Sequence, residues 1–169
     1  MNLDLLLRGN RGPLLIALVS FVVVGSAFAS QYIGGLNPCR LCWYQRIPYG
    51  ITIVVGLIAA AVTARNARLA GLLALVCAVA FAGGATVAAF HVGVEQGWWT
   101  ASSACTGIGA GARTAEELGR LLENAPVIRC TDIQWSLFGI SMAGYNVLVS
   151  IGLTVFALLT ARELSRRAA

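Results

Sequence analysis

From Leu14 to Ile33 the chain runs for twenty residues without one charged side chain. About 20 apolar residues, each rising 1.5 Å in a helix, cross the roughly 30 Å of bilayer hydrocarbon. Three further runs share this character: Ile47 to Thr63, which Tyr44 to Ala64 completes, Leu69 to about Phe90, and Ala143 to about Thr160. Composition agrees, with 58% of the 169 residues hydrophobic and only 11% charged. Soluble domains carry about 25% charged residues, so a globule of this composition would lack polar groups to cover itself in water. The expected fold class is an all-α membrane protein, a single four-transmembrane-helix bundle. Its spans fall at about 14–33, 44–64, 69–90 and 143–161, with longer loops at about 34–43 and 91–142. A cleaved signal peptide is a poor account of the first run, whose apolar core exceeds the usual 7–15 residues.

Arginine placement orients the bundle. All basic residues are Arg, and Arg8, Arg11, Arg65, Arg68, Arg162, Arg166 and Arg167 flank the runs on one side. Arg40, Arg46, Arg113, Arg120 and Arg129 lie on the other, spread through long loops beside Glu95, Glu116, Glu117, Glu123 and Asp132. Both termini are therefore expected in the cytoplasm, and the two long loops outside. The net charge of +5 does not signal nucleic acid, because the arginines cluster at span ends and form no basic stripe with interleaved aromatics. Trp43, Trp98, Trp99 and Trp135, with Tyr32, Tyr44 and Tyr49, fall near the outer span ends, as an interfacial aromatic belt would.

Of five cysteines, Cys39, Cys42, Cys105 and Cys130 lie in the outward loops, where disulfides persist. Cys77 falls mid-span and reads as an inert apolar residue. Cys39 and Cys42 are close enough in sequence that a bridge between them is strained and exchangeable. A helix beginning near Trp43 puts Cys42 at its N-terminus, where the dipole favours a thiolate, and Pro48 is tolerated near such a start. Arg46, one turn along the same face, can stabilise that thiolate or a reduced, anionic carrier. A Cys₄ zinc site is disfavoured because Cys105 and Cys130 stand 25 residues apart. A c-type haem is excluded because Trp43 stands where histidine is needed. No metal site is expected.

In the second loop, Gly107, Gly109 and Gly111 follow Cys105 and argue for a mobile chain. Thr114-Ala115-Glu116-Glu117 then reads as a capping box, opening a short amphipathic surface helix whose Leu118, Leu121 and Leu122 share one face. A cysteine beside three glycines suits partner exchange better than stapling. The cysteines thus form two stations, with electrons entering at Cys105/Cys130 and passing to Cys39/Cys42. They must then leave, and the chain carries no haem, iron–sulfur or flavin motif. A membrane quinone is the acceptor that needs least dedicated architecture.

Pro38-Cys39-x-x-Cys42 followed by Tyr44-Gln45-Arg46, the segment from His91 to Gln96, and Cys130 followed by Trp135, Gly139 and Asn146 together resemble the bacterial disulfide bond formation protein B (DsbB) family, over nearly the whole chain. The resemblance implies an inner-membrane thiol oxidase that reoxidises a periplasmic thioredoxin-fold dithiol oxidase of the DsbA kind. It implies that Cys105 forms the mixed disulfide with that partner and Cys130 exchanges with Cys39. Cys42 then reacts with ubiquinone or menaquinone, and Arg46 belongs to the quinone site. His91 takes a position compatible with quinone contact. Glu95 stands where some relatives have Gln, and is expected to be an exposed interfacial carboxylate. A vitamin K epoxide reductase-like protein is a weaker match, since its Cys-x-x-Cys comes late in the chain. A membrane protein with static disulfides is the non-enzymatic alternative. A transporter is disfavoured because no acidic residue lies within a span away from the termini.

Overall fold

The computed structural model describes residues 6, 7, 9–99, 114 and 129–167. Its helices are α1 (Arg11–Tyr32), α2 (Arg40–Val62), α3 (Ala67–Glu95) and α4 (Met142–Arg167). An antiparallel hairpin of β1 (Ser136–Leu137) and β2 (Ile140–Ser141) precedes α4. All four helices are long and apolar enough to cross a membrane. In hydrocarbon every backbone N–H and C=O must be paired internally, which leaves such segments the helix. Only 22% to 33% of each span's most apolar stretch is buried within the protein. Leu18, Phe21, Leu72, Val79, Val155 and Leu158 stay exposed, so the outer surface suits lipid and the polar side chains turn inward.

Helix α3 packs most extensively on α4 and next on α2, while α1 packs mainly on α2. Small residues let the backbones approach, as membrane helices require in the absence of a hydrophobic driving force between them. A Cβ on Gly56 would lie 3.1 Å from the Pro13 carbonyl oxygen of α1, and one on Gly84 would lie 3.2 Å from Cγ of Pro48. Ile16, Tyr49, Cys77, Phe81, Leu153 and Ala157 fill the middle of the bundle. Cys77 is fully buried there.

A Cβ on Gly12 would meet the Thr160 side chain, and one on Gly71 would come 3.3 Å from the Ala161 carbonyl oxygen. The starts of α1 and α3 therefore meet the last turns of α4. Arg11, Arg68, Arg162, Arg166 and Arg167 gather at this end. The opposite end holds Cys39, Cys42, the end of α3 and the hairpin.

The structure departs from the sequence expectations in several places. Helix α2 starts at Arg40 rather than near Trp43, because the Cys39 sulfur accepts the Cys42 backbone N–H at 3.3 Å and serves as N-cap. Pro48 consequently lies inside the helix, where its ring packs against Gly84. Helix α3 runs on to Glu95 and ends in a Schellman motif: Trp98 N–H reaches Gly93 O, Gly97 N–H reaches Val94 O, and Gly97 has φ +71°. The β-hairpin was not expected. It turns through Phe138 and Gly139, both with positive φ as a type I′ turn requires, and Phe138 hid this signal because bulky residues rarely adopt it. Tyr49, expected in the aromatic belt, is 2% exposed and in the core. Cys105 and the surface helix expected over 115–122 lie outside the described residues.

Candidate active site

Cys39 and Cys42 sit at the start of α2 with their sulfurs 3.1 Å apart, as thiols. Cys39 is buried and packs in one cluster with Leu41, Val94 and Cys130. Two cysteines 91 positions apart in sequence thus meet at one end of the bundle. The Cys39 thiol donates to the Cys42 sulfur, and this bond, together with burial, pushes Cys39 up to about 12. With the proton held on Cys39, the sulfur able to carry charge is that of Cys42, in the first helical turn, where unpaired N–H groups favour an anion.

The extra turns of α3 bring His91 and Glu95 into the helix on one face, four residues apart. His91 is buried, with Nε2 3.6 Å from Cys39 Sγ. Its Nδ1 accepts from Gln45 Nε2 at 2.8 Å, and Gln45 Oε1 accepts from Asn146 Nδ2 at 2.6 Å. Asn146 Oδ1 in turn accepts from the Tyr49 hydroxyl at 2.5 Å, and Ser150 lies 2.8 Å from that hydroxyl. The chain of bonds runs in one direction from the core to the dithiol. A neutral His91 that accepts at Nδ1 carries its proton on Nε2, facing the Cys39 sulfur. No buried side-chain N or O among the described residues lacks a hydrogen bond.

Glu95 is not the exposed carboxylate expected from sequence. Its side chain is 6% exposed, accepts from the Ser141 hydroxyl, and lies 3.9 Å from His91 Nε2. Ser141 also accepts the Gly144 N–H at the start of α4, which ties the end of α3 to the hairpin and to α4. Gln134 Nε2 donates to the Asn37 carbonyl at 2.6 Å, joining the second loop to the first.

Arg46 reaches across to α1, donating to Gln31 Oε1 at 2.7 Å and to the Ala27 carbonyl at 3.1 Å. Its guanidinium carbon lies 4.7 Å from the Phe28 ring centre and 4.8 Å from that of Trp43, so cation–π contact adds to the hydrogen bonds.

These side chains border one cavity of about 490 Å³ between α1, α2 and α4. Cys39, Cys42, Arg46, His91 and Glu95 line its polar side, and Val23, Val24 and Val149 line an apolar wall. The structure thus brings together Cys39, Cys42, Cys130, Arg46 and His91 of the residues singled out from sequence. Sequence reasoning placed none of Gln45, Tyr49, Asn146 and Glu95 in the site. The available signal was that Gln45, Tyr49 and Asn146 are polar groups inside otherwise apolar spans, where polar side chains turn to the bundle interior.

Four membrane-spanning helices with a dithiol lining a cavity between them define a multi-pass membrane oxidoreductase of disulfide chemistry. The chain belongs to the disulfide bond formation protein DsbB family, whose model, described as Disulfide bond formation protein DsbB, matches residues 10–160. It is 31% identical to a disulfide bond formation protein B of Methylobacillus flagellatus, across 92% of this chain and 95% of that one. A disulfide bond formation protein B 2 of Pseudomonas syringae pv. syringae is also 31% identical, over 85% of this chain and 83% of its own. An uncharacterized protein of Rickettsia prowazekii is 27% identical over 85% and 82%.

Proposed function

We propose that the protein is a quinone-dependent thiol oxidase of the bacterial inner membrane that reoxidises a DsbA-like periplasmic thioredoxin-fold protein. Both termini lie in the cytoplasm, and both cysteine-bearing loops face the periplasm. The observation that carries this reading is the Cys39–Cys42 dithiol opening onto a cavity between membrane helices, with Cys130 packed against Cys39.

A thiolate of the reduced partner attacks Cys105 of a Cys105–Cys130 disulfide, forming a mixed disulfide and releasing Cys130 as thiolate. The partner's second thiolate resolves that bond and leaves oxidised. Cys130 attacks Cys39 of a Cys39–Cys42 disulfide, releasing Cys42 as thiolate. Cys105 then recloses on Cys130, leaving Cys39 and Cys42 reduced. The two electrons from the partner now reside on the dithiol.

The cavity fits a quinone head group. Its volume lies within the roughly 300–1,000 Å³ of small-molecule sites, its valine wall suits an apolar ring, Arg46 can donate to a ring oxygen, and His91 lines the same cavity. A quinone held there, ubiquinone or menaquinone, would supply the two-electron, two-proton acceptor against which Cys39 and Cys42 can close again. Cys42 faces the cavity and delivers the pair. Arg46, clamped against α1, supplies fixed positive charge where negative charge develops. His91, oriented by Gln45, holds a proton toward the Cys39 sulfur.

Purified protein supplied with reduced DsbA-like protein and quinone will oxidise the thiols and reduce the quinone. Cys42→Ser will abolish quinone reduction. Full turnover by Cys42→Ser would overturn the electron path.

A further inference from the structure

Among the described residues, the two sulfurs and the imidazole lining the cavity also form a convergent set of metal ligands. Cys39 Sγ, Cys42 Sγ and a His91 ring nitrogen all lie within 4.8 Å of one another. We propose that the reduced protein binds one thiophilic divalent cation of the zinc class through Cys39, Cys42 and His91 Nε2. This site exists only while the dithiol is reduced, and its occupation blocks reoxidation.

Geometry favours the assignment. Tetrahedral zinc with Zn–S of about 2.3 Å and Zn–N of about 2.0–2.1 Å sets S···N near 3.5 Å and S···S near 3.8 Å. The Cys39–His91 separation is 3.6 Å and the sulfur pair is 3.1 Å apart. The sulfurs must open by about 0.7 Å and Cys42 Sγ must settle near 3.5 Å from the imidazole, on the same zinc geometry; Cys42 already lies within 4.8 Å of it and lines the cavity, into which it can turn. Two thiolates cancel the dipositive ion, so the occupied site carries no net charge at the membrane edge. Glu95 lines the same cavity, with Oε1 3.9 Å from His91 Nε2, and water or this carboxylate would take the fourth position. Arg46 does not fill the space, because its guanidinium is held by Gln31 and Ala27.

The surroundings supply an orienting partner of the kind metal-bound histidines need. Such a histidine donates its other N–H to a neighbouring acceptor. Here that neighbour is Gln45, 2.8 Å from Nδ1. Coordination through Nε2 moves the ring proton to Nδ1, and Gln45, rotated end for end, accepts it with its amide oxygen. Asn146 rotates with it, since the Tyr49 and Ser150 hydroxyls can each donate or accept. No electron moves: the ion displaces two thiol protons, and a disulfide offers no thiolate to bind. Thiols already oxidised are therefore immune.

The test is titration of Cd²⁺ alone into the full-length Cys105→Ser/Cys130→Ser protein in detergent, following the ultraviolet cadmium–thiolate charge-transfer band and proton release. The dithiol-reduced protein will bind one ion and release about two protons; the same protein with Cys39–Cys42 oxidised will show no band. Gln45→Leu will weaken binding by about 10–100-fold, the usual effect of losing such an orienting partner. Gln45→Glu will restore or tighten it, and His91→Ala will weaken it at least as much as Gln45→Leu. Zn²⁺ will compete for the site and stop turnover of the wild-type protein, with recovery on adding chelator. An equal band in the oxidised protein would overturn the proposal. So would affinity unchanged in both Gln45→Leu and His91→Ala. The binding readout needs neither quinone nor partner, so its failure is distinct from failure of the electron path proposed above.

Discussion

The hydrogen-bond chain beneath the dithiol makes a quantitative prediction through Tyr49 and Asn146. Tyr49 is 2% exposed, its ring lies 5.7 Å from that of Phe81, and its hydroxyl meets Asn146 Oδ1 and Ser150 Oγ. Phenylalanine at this position keeps the ring contact and deletes only the hydroxyl. The remaining pair is not orphaned, because Ser150 already lies 3.3 Å from Asn146 Oδ1. The loss should therefore sit in the range measured for hydrogen bonds between membrane helices, about 0.6 kcal/mol and at most about 1.7. Asn146→Ala removes more, stripping the donor from buried Gln45 Oε1 and the acceptor from Tyr49. Leaving a buried polar group unpaired costs about 1–3 kcal/mol, so Asn146→Ala should destabilise more than Tyr49→Phe. The double variant should fall short of additivity by about 0.6 kcal/mol, since the two side chains share one bond. Reversible unfolding in mixed detergent micelles, followed by circular dichroism for all four proteins of the cycle, measures each term. A Tyr49→Phe protein as stable as wild type, or strict additivity, would refute the idea that this chain holds α2 to α4.

Three further outcomes follow from the site. Arg46→His should raise the apparent KM for quinone in steady-state turnover more than it lowers kcat; unchanged kinetics would reduce Arg46 to a clamp between α1 and α2. A Cys39 thiol pushed up to about 12 from an ordinary value of 9.0 carries about a thousandfold less thiolate at pH 8, and alkylation follows the thiolate. Iodoacetamide should therefore label Cys42 well before Cys39 in reduced protein, by peptide mapping, and preferential labelling of Cys39 would contradict the proton's placement. The same raised value favours the folded reduced state below about pH 9, and that contribution is lost as pH rises toward 12. Cys130→Ser should accumulate a mixed disulfide between Cys105 and the DsbA-like partner on non-reducing gels; an unreactive Cys105 would favour static bridges.

Hydropathy and charge determined the four spans, the arginine-rich end and the placement of Cys39 and Cys42 outside the first run. Those properties are sums over local residues, and a bilayer responds to such sums. The motif around Cys39 and Cys42 also marked the redox chemistry, because two cysteines three positions apart close a strained, exchangeable disulfide. Helix ends were less legible, since a cysteine sulfur can cap α2 as an oxygen would, and Gly97 rather than the last apolar residue stops α3. The end of α3 decided the fate of Glu95. Read as an exposed carboxylate, it is buried because the added turns carry it beneath Ser141.

What only the tertiary structure decided is which polar groups share an interior face. Gln45 and Asn146 are 101 residues apart, and His91 and Cys39 are 52 apart. Nothing in either local sequence specifies the rotation of its helix about its axis. That rotation follows from where small residues such as Gly56 and Gly84 let the backbones approach, and from the cost of leaving an amide or imidazole unpaired in hydrocarbon. Hydropathy determines that a helix crosses the membrane; packing decides which of its side chains meet.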